Sequence, residues 1–226
     1  MKLQDKVVVI TGASRGLGLA MAAGFKKLGA KLVLSANERD ELRRVAEELG
    51  AVYFTADVTR EVDVKELAAV AIKNFNRIDI WVNNAGIWLP HSSIEDLPIE
   101  EIRKMLEVNL FGMVYGSRAA LGPMKKAEKG MIMNIISVSG IEGHVGSAGY
   151  CASKFAENGF TKVLRLETKP FDIKVISVFP DKMKTGLFDG SRPPGYDQFM
   201  KPEYVAEKIL ENLEKENPEE ELVIKK

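Results

Sequence analysis

Tyr150 and Lys154 stand four residues apart in the stretch GYCASK, residues 149–154. On a helix that spacing stacks the two side chains on one face. Two readings follow. In one, the pair is an ordinary hydrogen-bonded contact at the surface, the usual fate of such pairs. In the other, the lysine alters the chemistry of the tyrosine. Hydride transfer to a carbonyl builds negative charge on oxygen, so a hydroxyl must supply a proton there, and the reverse reaction needs a base. A free tyrosine, with a pKa of about 10, is a poor base near neutrality, and bringing it to about 7 takes about 4 kcal/mol. One cation at about 4 Å, under an effective dielectric of about 20, supplies about 4 kcal/mol. A lysine is therefore of the right strength. Six residues leave both readings open.

A second group of residues is suited to binding. TGASRGLG places Gly12, Gly16 and Gly18 between an apolar run and an amphipathic one, spaced G-x-x-x-G-x-G. Such a loop allows a tight turn, close approach of backbone to phosphates, and a helix N-terminus facing their charge. A purely structural glycine-rich turn is the plainer alternative.

The elements that must position these residues alternate along the chain. KVVVITG (6–12), KLVLSA (31–36), AVYFTAD (51–57), IDIWVNNAG (78–86), GMIMNIIS (130–137) and DIKVISVFP (172–180) read as buried strands, some running into their turns. ELVIKK at the end could add a last one. Helices are predicted at 16–29, 39–50, 61–75, about 98–127, 150–168 and 202–215, with Gly29 and Gly50 as stops. In the third, Val64, Leu67, Ala68, Ala71, Ile72 and Phe75 keep one face apolar. This alternation predicts a single α/β domain over 1–226, with a doubly wound parallel sheet of about seven strands and helices on both faces. The Pro/Gly-rich stretch 188–202 is the one long loop, beyond a strand's C-terminal end where ligands of such sheets bind.

Bulk properties exclude several classes. Lys+Arg and Asp+Glu balance at 32 each, so no global charge points to nucleic acid or an anionic membrane. A single cysteine, Cys151, permits no internal disulfide and suits a reducing compartment. Met1–Asp5 runs straight into a strand pattern without a signal-peptide layout, and no apolar run approaches a membrane span. The expectation is a soluble cytoplasmic protein. With His91 and His144 far apart and one cysteine, no metal site is expected.

Taken in order, TGASRGLG, ADV with Asp57, NNAG at 83–86, EVNL with Asn109, Ser137, YCASK with Tyr150 and Lys154, and FPDKMKT make the chain resemble the short-chain dehydrogenase/reductase family over residues 6–185. Tyr150 falls thirteen residues after Ser137, as the family pattern expects. The resemblance implies a strand order 3-2-1-4-5-6-7 and a catalytic set of Asn109, Ser137, Tyr150 and Lys154. Tyr150 would be the general acid/base and Ser137 would hold the substrate oxygen. Asn109 would anchor a water linking Lys154 to solvent, and Lys154 would also hold the cofactor ribose. Cofactor contacts are implied for Gly12, Ser14, Arg15, Gly16, Leu17, Gly18, Asn37, Asp57, Val58, Asn84, Ala85, Gly86, Tyr150, Lys154, Pro180, Met183 and Thr185. A homodimer or homotetramer built on the helices near 98–127 and 150–168 is implied as well.

The second strand ends in Ser35-Ala36-Asn37, with no carboxylate there to bond a ribose 2′-hydroxyl or repel a 2′-phosphate. With Arg15 in the glycine loop, and Arg39 able to help, NADP(H) is expected over NAD(H). Asp181 stands where the family usually has glycine after Pro180, harmless if it points away or pairs with Lys182 or Lys184. The end of the chain is closer to small broad-range carbonyl and alcohol reductases than to 3-oxoacyl-carrier-protein reductases. The leading expectation is an oxidoreductase acting on a small carbonyl/alcohol pair. The alternatives are the same chemistry on a carrier-bound acyl, sugar or steroid substrate, or a dinucleotide-binding sensor without turnover. Residues 186–201 are expected to form a lid whose apolar Leu187, Phe188, Tyr196 and Phe199 face the substrate. Cys151 reads as packing. Trp88, His91 and His144 either border the cleft or belong to surface and loop.

Overall fold

The computed structural model of the 226-residue chain describes residues 2–90, 92–193 and 195–226. His91, named above for the cleft border, and Pro194, within the expected lid, lie outside the described residues. The apolar runs become the strands β1 (Val7–Thr11), β2 (Lys31–Ala36), β3 (Val52–Thr55), β4 (Ile80–Asn83), β5 (Gly130–Ile135), β6 (Ile173–Pro180) and β7 (Glu221–Ile224). All pair in parallel in one seven-stranded sheet, order β3-β2-β1-β4-β5-β6-β7. The order reverses between β1 and β4, and the crevice of an open α/β sheet lies at such a point, outside the strands' C-terminal ends.

The helices are α1 (Gly16–Lys27), α2 (Arg39–Leu49), α3 (Glu61–Phe75), α4 (Ile99–Met105), α5 (Gly112–Lys126), α6 (Ala148–Thr168) and α7 (Pro202–Glu214). Side-chain alternation along the strands β1 to β6 feeds two cores, and β7 adds Leu222 and Ile224 to one of them. In β1, Val8 and Ile10 join the layer of α1, α2 and α7, while Val9 joins the layer of α3, α5 and α6. Gly50 ends α2 in a left-handed conformation, as read from its position after the last apolar residue. The long helical region near 98–127 is not one regular helix. Leu106–Phe111 is a π turn joining α4 to α5, and it carries Asn109. No periodicity announced it, because a π turn inserts one residue without changing composition.

A buried polar network pins β4 and β5 to the helices above them. Trp81 Nε1 donates to Asn83 Oδ1 at 2.7 Å, and Asn83 Nδ2 donates to Ser117 Oγ at 3.1 Å and Asn134 Oδ1 at 2.8 Å. Asn134 Nδ2 donates to Thr161 Oγ1 at 2.9 Å, on α6. Gly116 of α5 is the space that this network needs: a Cβ there would run into Asn83 Oδ1 and stand 2.7 Å from Trp81 Nε1. In an open helix, alanine for glycine gains about 1 kcal/mol. Here it would strand a buried polar group, costing about 1–3 kcal/mol, and overpack the site at a similar cost. Gly116→Ala should therefore lower stability by about 1–5 kcal/mol, read as a lower urea midpoint. An unchanged midpoint would mean that the network yields without loss.

Candidate active site

The C-terminal ends of the strands open into one cleft of about 1130 Å³. That exceeds the roughly 300–1,000 Å³ of a drug-sized site, as a dinucleotide with a substrate would require. Every residue singled out from sequence as a cofactor contact lines it: the loop residues Gly12 to Gly18 so named, Asn37, Asp57 and Val58, Asn84 to Gly86, and Pro180, Met183 and Thr185. Ser137, Tyr150 and Lys154 line the same cleft.

At one end, the glycine loop hands β1 to α1. Gly12 (φ 62°) and Gly16 (φ 56°) are left-handed, a conformation that costs other residues most. Gly18 lets the helix start press on the loop: a Cβ there would collide with the Gly12 carbonyl. The first turn of α1 lines the cleft and has no acidic residue and no side-chain cap, a helix start that suits an anion. Asn84 is part of this frame. Its Nδ2 donates to the carbonyls of Thr11 (2.8 Å) and Gly12 (3.0 Å), locking the NNAG turn to the glycine loop. Asp57 Oδ1 accepts from Thr59 N at 2.9 Å and Thr59 Oγ1 at 2.8 Å, bracing the turn after β3.

The corner past β2 differs from the expectation that no carboxylate stands there. Glu38 lines the cleft beside Asn37, and its Oε1 is 3.9 Å from the Arg15 guanidinium. Arg15 and Glu38 are both about half exposed, so this pair is screened by water and worth under about 1 kcal/mol.

At the other end, α6 presents Tyr150 and Lys154 on one face, and Ser137 follows β5. The Lys154 Nζ lies 5.6 Å from the Tyr150 ring centroid. The surface reading of this pair is wrong: Lys154 is only 4% exposed. Asn109, buried in the π turn, spends its side chain on structure. Its Oδ1 accepts from Ile87 N at 2.8 Å, and its Nδ2 donates to Ile87 O and Ser153 Oγ, both at 3.0 Å. It thus ties the segment after NNAG to α6 one residue before Lys154.

The electrostatics reverse one expectation. The Tyr150 pKa was expected to fall towards neutrality beside Lys154; instead it is raised. Tyr150 is only partly buried and lines the cleft, but the packing around its hydroxyl is the largest influence and disfavours the phenolate; Lys154 lowers the pKa, Glu157 raises it, and a hydrogen bond with Ser137 lowers it. Glu157 was not singled out from sequence. It lies on the same face of α6, three residues after Lys154 and seven after Tyr150, and that spacing is the signal that could have found it. Its Oε1 accepts from Lys154 Nζ at 3.0 Å, and its Oε2 is 2.9 Å away.

The loop after β6 covers the mouth. Phe188 packs edge-on against Trp88, ring centroids 5.0 Å apart, and against Phe199 at 5.8 Å. Trp88, Leu187, Phe188, Pro193 and Phe199 line the cleft, as does His144; Trp88 is thus a cleft residue and not a surface one. Tyr196, expected on the inner face, instead lines a smaller cavity behind the loop. Backbone bonds Lys184 N to Met200 O (2.8 Å) and Met200 N to Lys182 O (3.0 Å) close the loop at its base. Asp181 pairs with neither lysine considered for it. Lys225 is pushed up in pKa first by its hydrogen bond to Glu142 and, in smaller part, by Asp181, which places that carboxylate towards the end of β7. Cys151 is buried with its Sγ 4.0 Å from the Glu142 carbonyl, in keeping with packing.

The family model for short chain dehydrogenases matches residues 6–194. The chain belongs to the short-chain dehydrogenase family. Among curated relatives, it is 34% identical to the uncharacterised oxidoreductase YxnA of Bacillus subtilis (strain 168), over 99% of this chain and 66% of that one. It is 38% identical to a 3-alpha-(or 20-beta)-hydroxysteroid dehydrogenase of Mycobacterium tuberculosis (strain ATCC 25618 / H37Rv), over 83% of this chain and 73% of that one. The chain therefore spans about two thirds to three quarters of the length of these relatives. Among solved structures, an alcohol dehydrogenase from the archaeon Thermococcus sibiricus complexed with 5-hydroxy-NADP aligns with a TM-score of 0.88 at 30% identity, over 98% of this chain and 96% of that one. A short-chain dehydrogenase from Streptomyces avermitilis aligns at 0.87 and 27% identity, over 98% and 89%.

Short-chain dehydrogenases are oxidoreductases that bind a nicotinamide dinucleotide, and the residues here fit one. The left-handed glycines, the close approach at Gly18 and the uncapped start of α1 make a cradle for its phosphates. Among the described residues, no helix is long and apolar enough to cross a membrane.

Proposed function

We propose that this short-chain dehydrogenase is an NADP(H)-dependent oxidoreductase interconverting small, largely apolar carbonyls and alcohols. The observation that carries the reading is a single cleft lined at one end by the glycine loop and at the other by Ser137, Tyr150 and Lys154. When bound, the nicotinamide supplies or accepts the hydride. Ser137 holds the substrate oxygen and donates a hydrogen bond as charge grows on it. Tyr150 gives that oxygen its proton in reduction and takes it back in oxidation. Lys154 stabilises the phenolate and reaches the cofactor ribose, and Asn109 fixes the α6 face that carries both. The domain acts as one unit over 1–226, in the cytoplasm, and associates as a homodimer or homotetramer. In support of association, Phe111 beside α5 and Phe155, Val163 and Leu166 of α6 are exposed apolar side chains. Turnover of a carbonyl panel with NADPH and with NADH tests the reading; a chain that binds cofactor and never oxidises it would instead be a sensor.

The similarity to a hydroxysteroid dehydrogenase favours a second reading, in which the substrate is a larger alicyclic ketone. On either reading, residues 186–201 act as the substrate lid, with Phe188 and Trp88 closing the mouth. Removing the Phe188 ring forfeits an aromatic contact worth about 0.5–1.5 kcal/mol beyond its buried area. Phe188→Ala is therefore expected to raise KM for aromatic and alicyclic ketones by about threefold to tenfold, with kcat less affected. Steady-state kinetics on benzaldehyde-type and cyclohexanone-type substrates check this, and an unchanged KM for both would remove the lid from recognition.

A further inference from the structure

Glu157 is a buried carboxylate that the chemistry above leaves unused. It is 1% exposed, one helical turn beyond Lys154, with both oxygens against the same ammonium. Oε1 takes the hydrogen bond, while Oε2 lies off the bonding direction and has no donor. The backbone beneath is fixed, since Thr161 Oγ1 donates to the Glu157 carbonyl at 2.7 Å and belongs to the Asn83–Asn134 network. A buried ion pair is a poor means of stabilising a fold, and an apolar residue of similar size commonly serves as well or better. Its place beside the reacting pair gives the carboxylate a different use.

We propose that Glu157 is a positioning residue that acts through Lys154. It keeps the buried ammonium charged and anchored beside Tyr150, and it offsets part of the ammonium's field, so that Tyr150 keeps its proton to a higher pH than it would beside the ammonium alone. The proposal rests on Tyr150 being the acid/base.

The sign follows from elementary electrostatics. A carboxylate raises the pKa of every titratable group beside it. For Tyr150 it adds to the larger effect of burial, against Lys154. For Lys154, burial is the largest influence and lowers the pKa, yet Glu157 and Tyr150 together outweigh it and the net shift is upward. Glu157 itself is pushed up, by burial first and with Lys154 opposing. Charged groups reach the cleft from the other elements as well: Lys104 of α4, Glu107 of the π turn, His144 before α6, and Asp181 and Lys182 after β6. None of these five contributes to the shifts of Tyr150, Lys154 or Glu157, which burial, the three groups themselves, Ser137 and Cys151 account for.

The test is the pH profile of kcat/KM, in both directions, for the full chain with its cofactor as wild type, E157Q and E157D. Removing the carboxylate lowers the pKa of Tyr150 and of Lys154 alike. Both limbs of the E157Q profile should therefore move to acid by about one pH unit or more. E157D, whose shorter carboxylate draws back from Nζ, should fall between. A purely structural role would lower the height of the profile and leave its limbs in place, and that result overturns the proposal, as does a move to alkaline pH. Should E157Q not fold, the displacement of the E157D limbs alone decides by the same criterion. The parallel variant Y150F separates the two readings. If Y150F remains active, the acid/base assignment has failed; if Y150F is inactive and the E157Q limbs stay put, only the role of Glu157 has failed.

Discussion

Tyr150→Phe should abolish nearly all turnover while leaving cofactor affinity at the wild-type value. The substitution removes one hydroxyl and keeps the ring, so the fit against Lys154 and the wall of α6 is preserved. What disappears is the proton donor for the oxygen that gains charge in reduction, and the base for oxidation. General acid/base groups contribute about 100-fold to 10,000-fold, and the loss belongs in kcat and kcat/KM together, since the interaction exists only in the transition state. The binding half of the expectation follows from Lys154, which keeps its Glu157 partner at 2.9–3.0 Å and stays in place for the ribose. Fluorescence titration with NADPH and single-turnover kinetics measure the two halves separately. A variant keeping more than about a tenth of wild-type activity would fall outside the range of such groups and remove Tyr150 from this role.

The second large effect concerns the cofactor. Arg15→Ala is expected to lower kcat/KM for NADPH by about tenfold to a hundredfold, the value of one charge-assisted arginine–phosphate bond, with little change for NADH. Arg15, Ala36 and Asn37 line the corner past β2. Glu38 complicates the corner. Its carboxylate lies 3.9 Å from the guanidinium and would repel a phosphate placed between them. At about half exposure it is free to swing away, so its penalty is modest. Glu38→Gln should accordingly increase the preference for NADPH severalfold. Comparing both cofactors across wild type, Arg15→Ala and Glu38→Gln resolves the two contributions. Equal or better efficiency of the wild type with NADH would show that Glu38, and not Arg15, governs this corner.

These expectations rest on different kinds of information. Strands and helices were legible because their signals are local: an apolar run such as KVVVITG, the apolar face of α3, and Gly50 after the last apolar residue of α2. The family motifs placed Ser137, Tyr150 and Lys154 in one site, and the fold brings them to one cleft with the glycine loop. The π turn at Leu106–Phe111 was hidden, since nothing in its composition distinguishes it from a helix.

The residue types and their spacing along one helix were enough to bring Tyr150, Lys154 and Glu157 to a common face, because 3.6 residues per turn is a property of the backbone. They were not enough to give the sign of the Tyr150 shift. That sign is a balance between the ammonium and the removal of water, and burial depends on the π turn, the 138–140 turn and α4 packing against α6. The same holds for the ion pair of Arg15 with Glu38 and the ring contact of Trp88 with Phe188. Each joins segments far apart in the chain, and only the order of strands in the sheet brings them within reach.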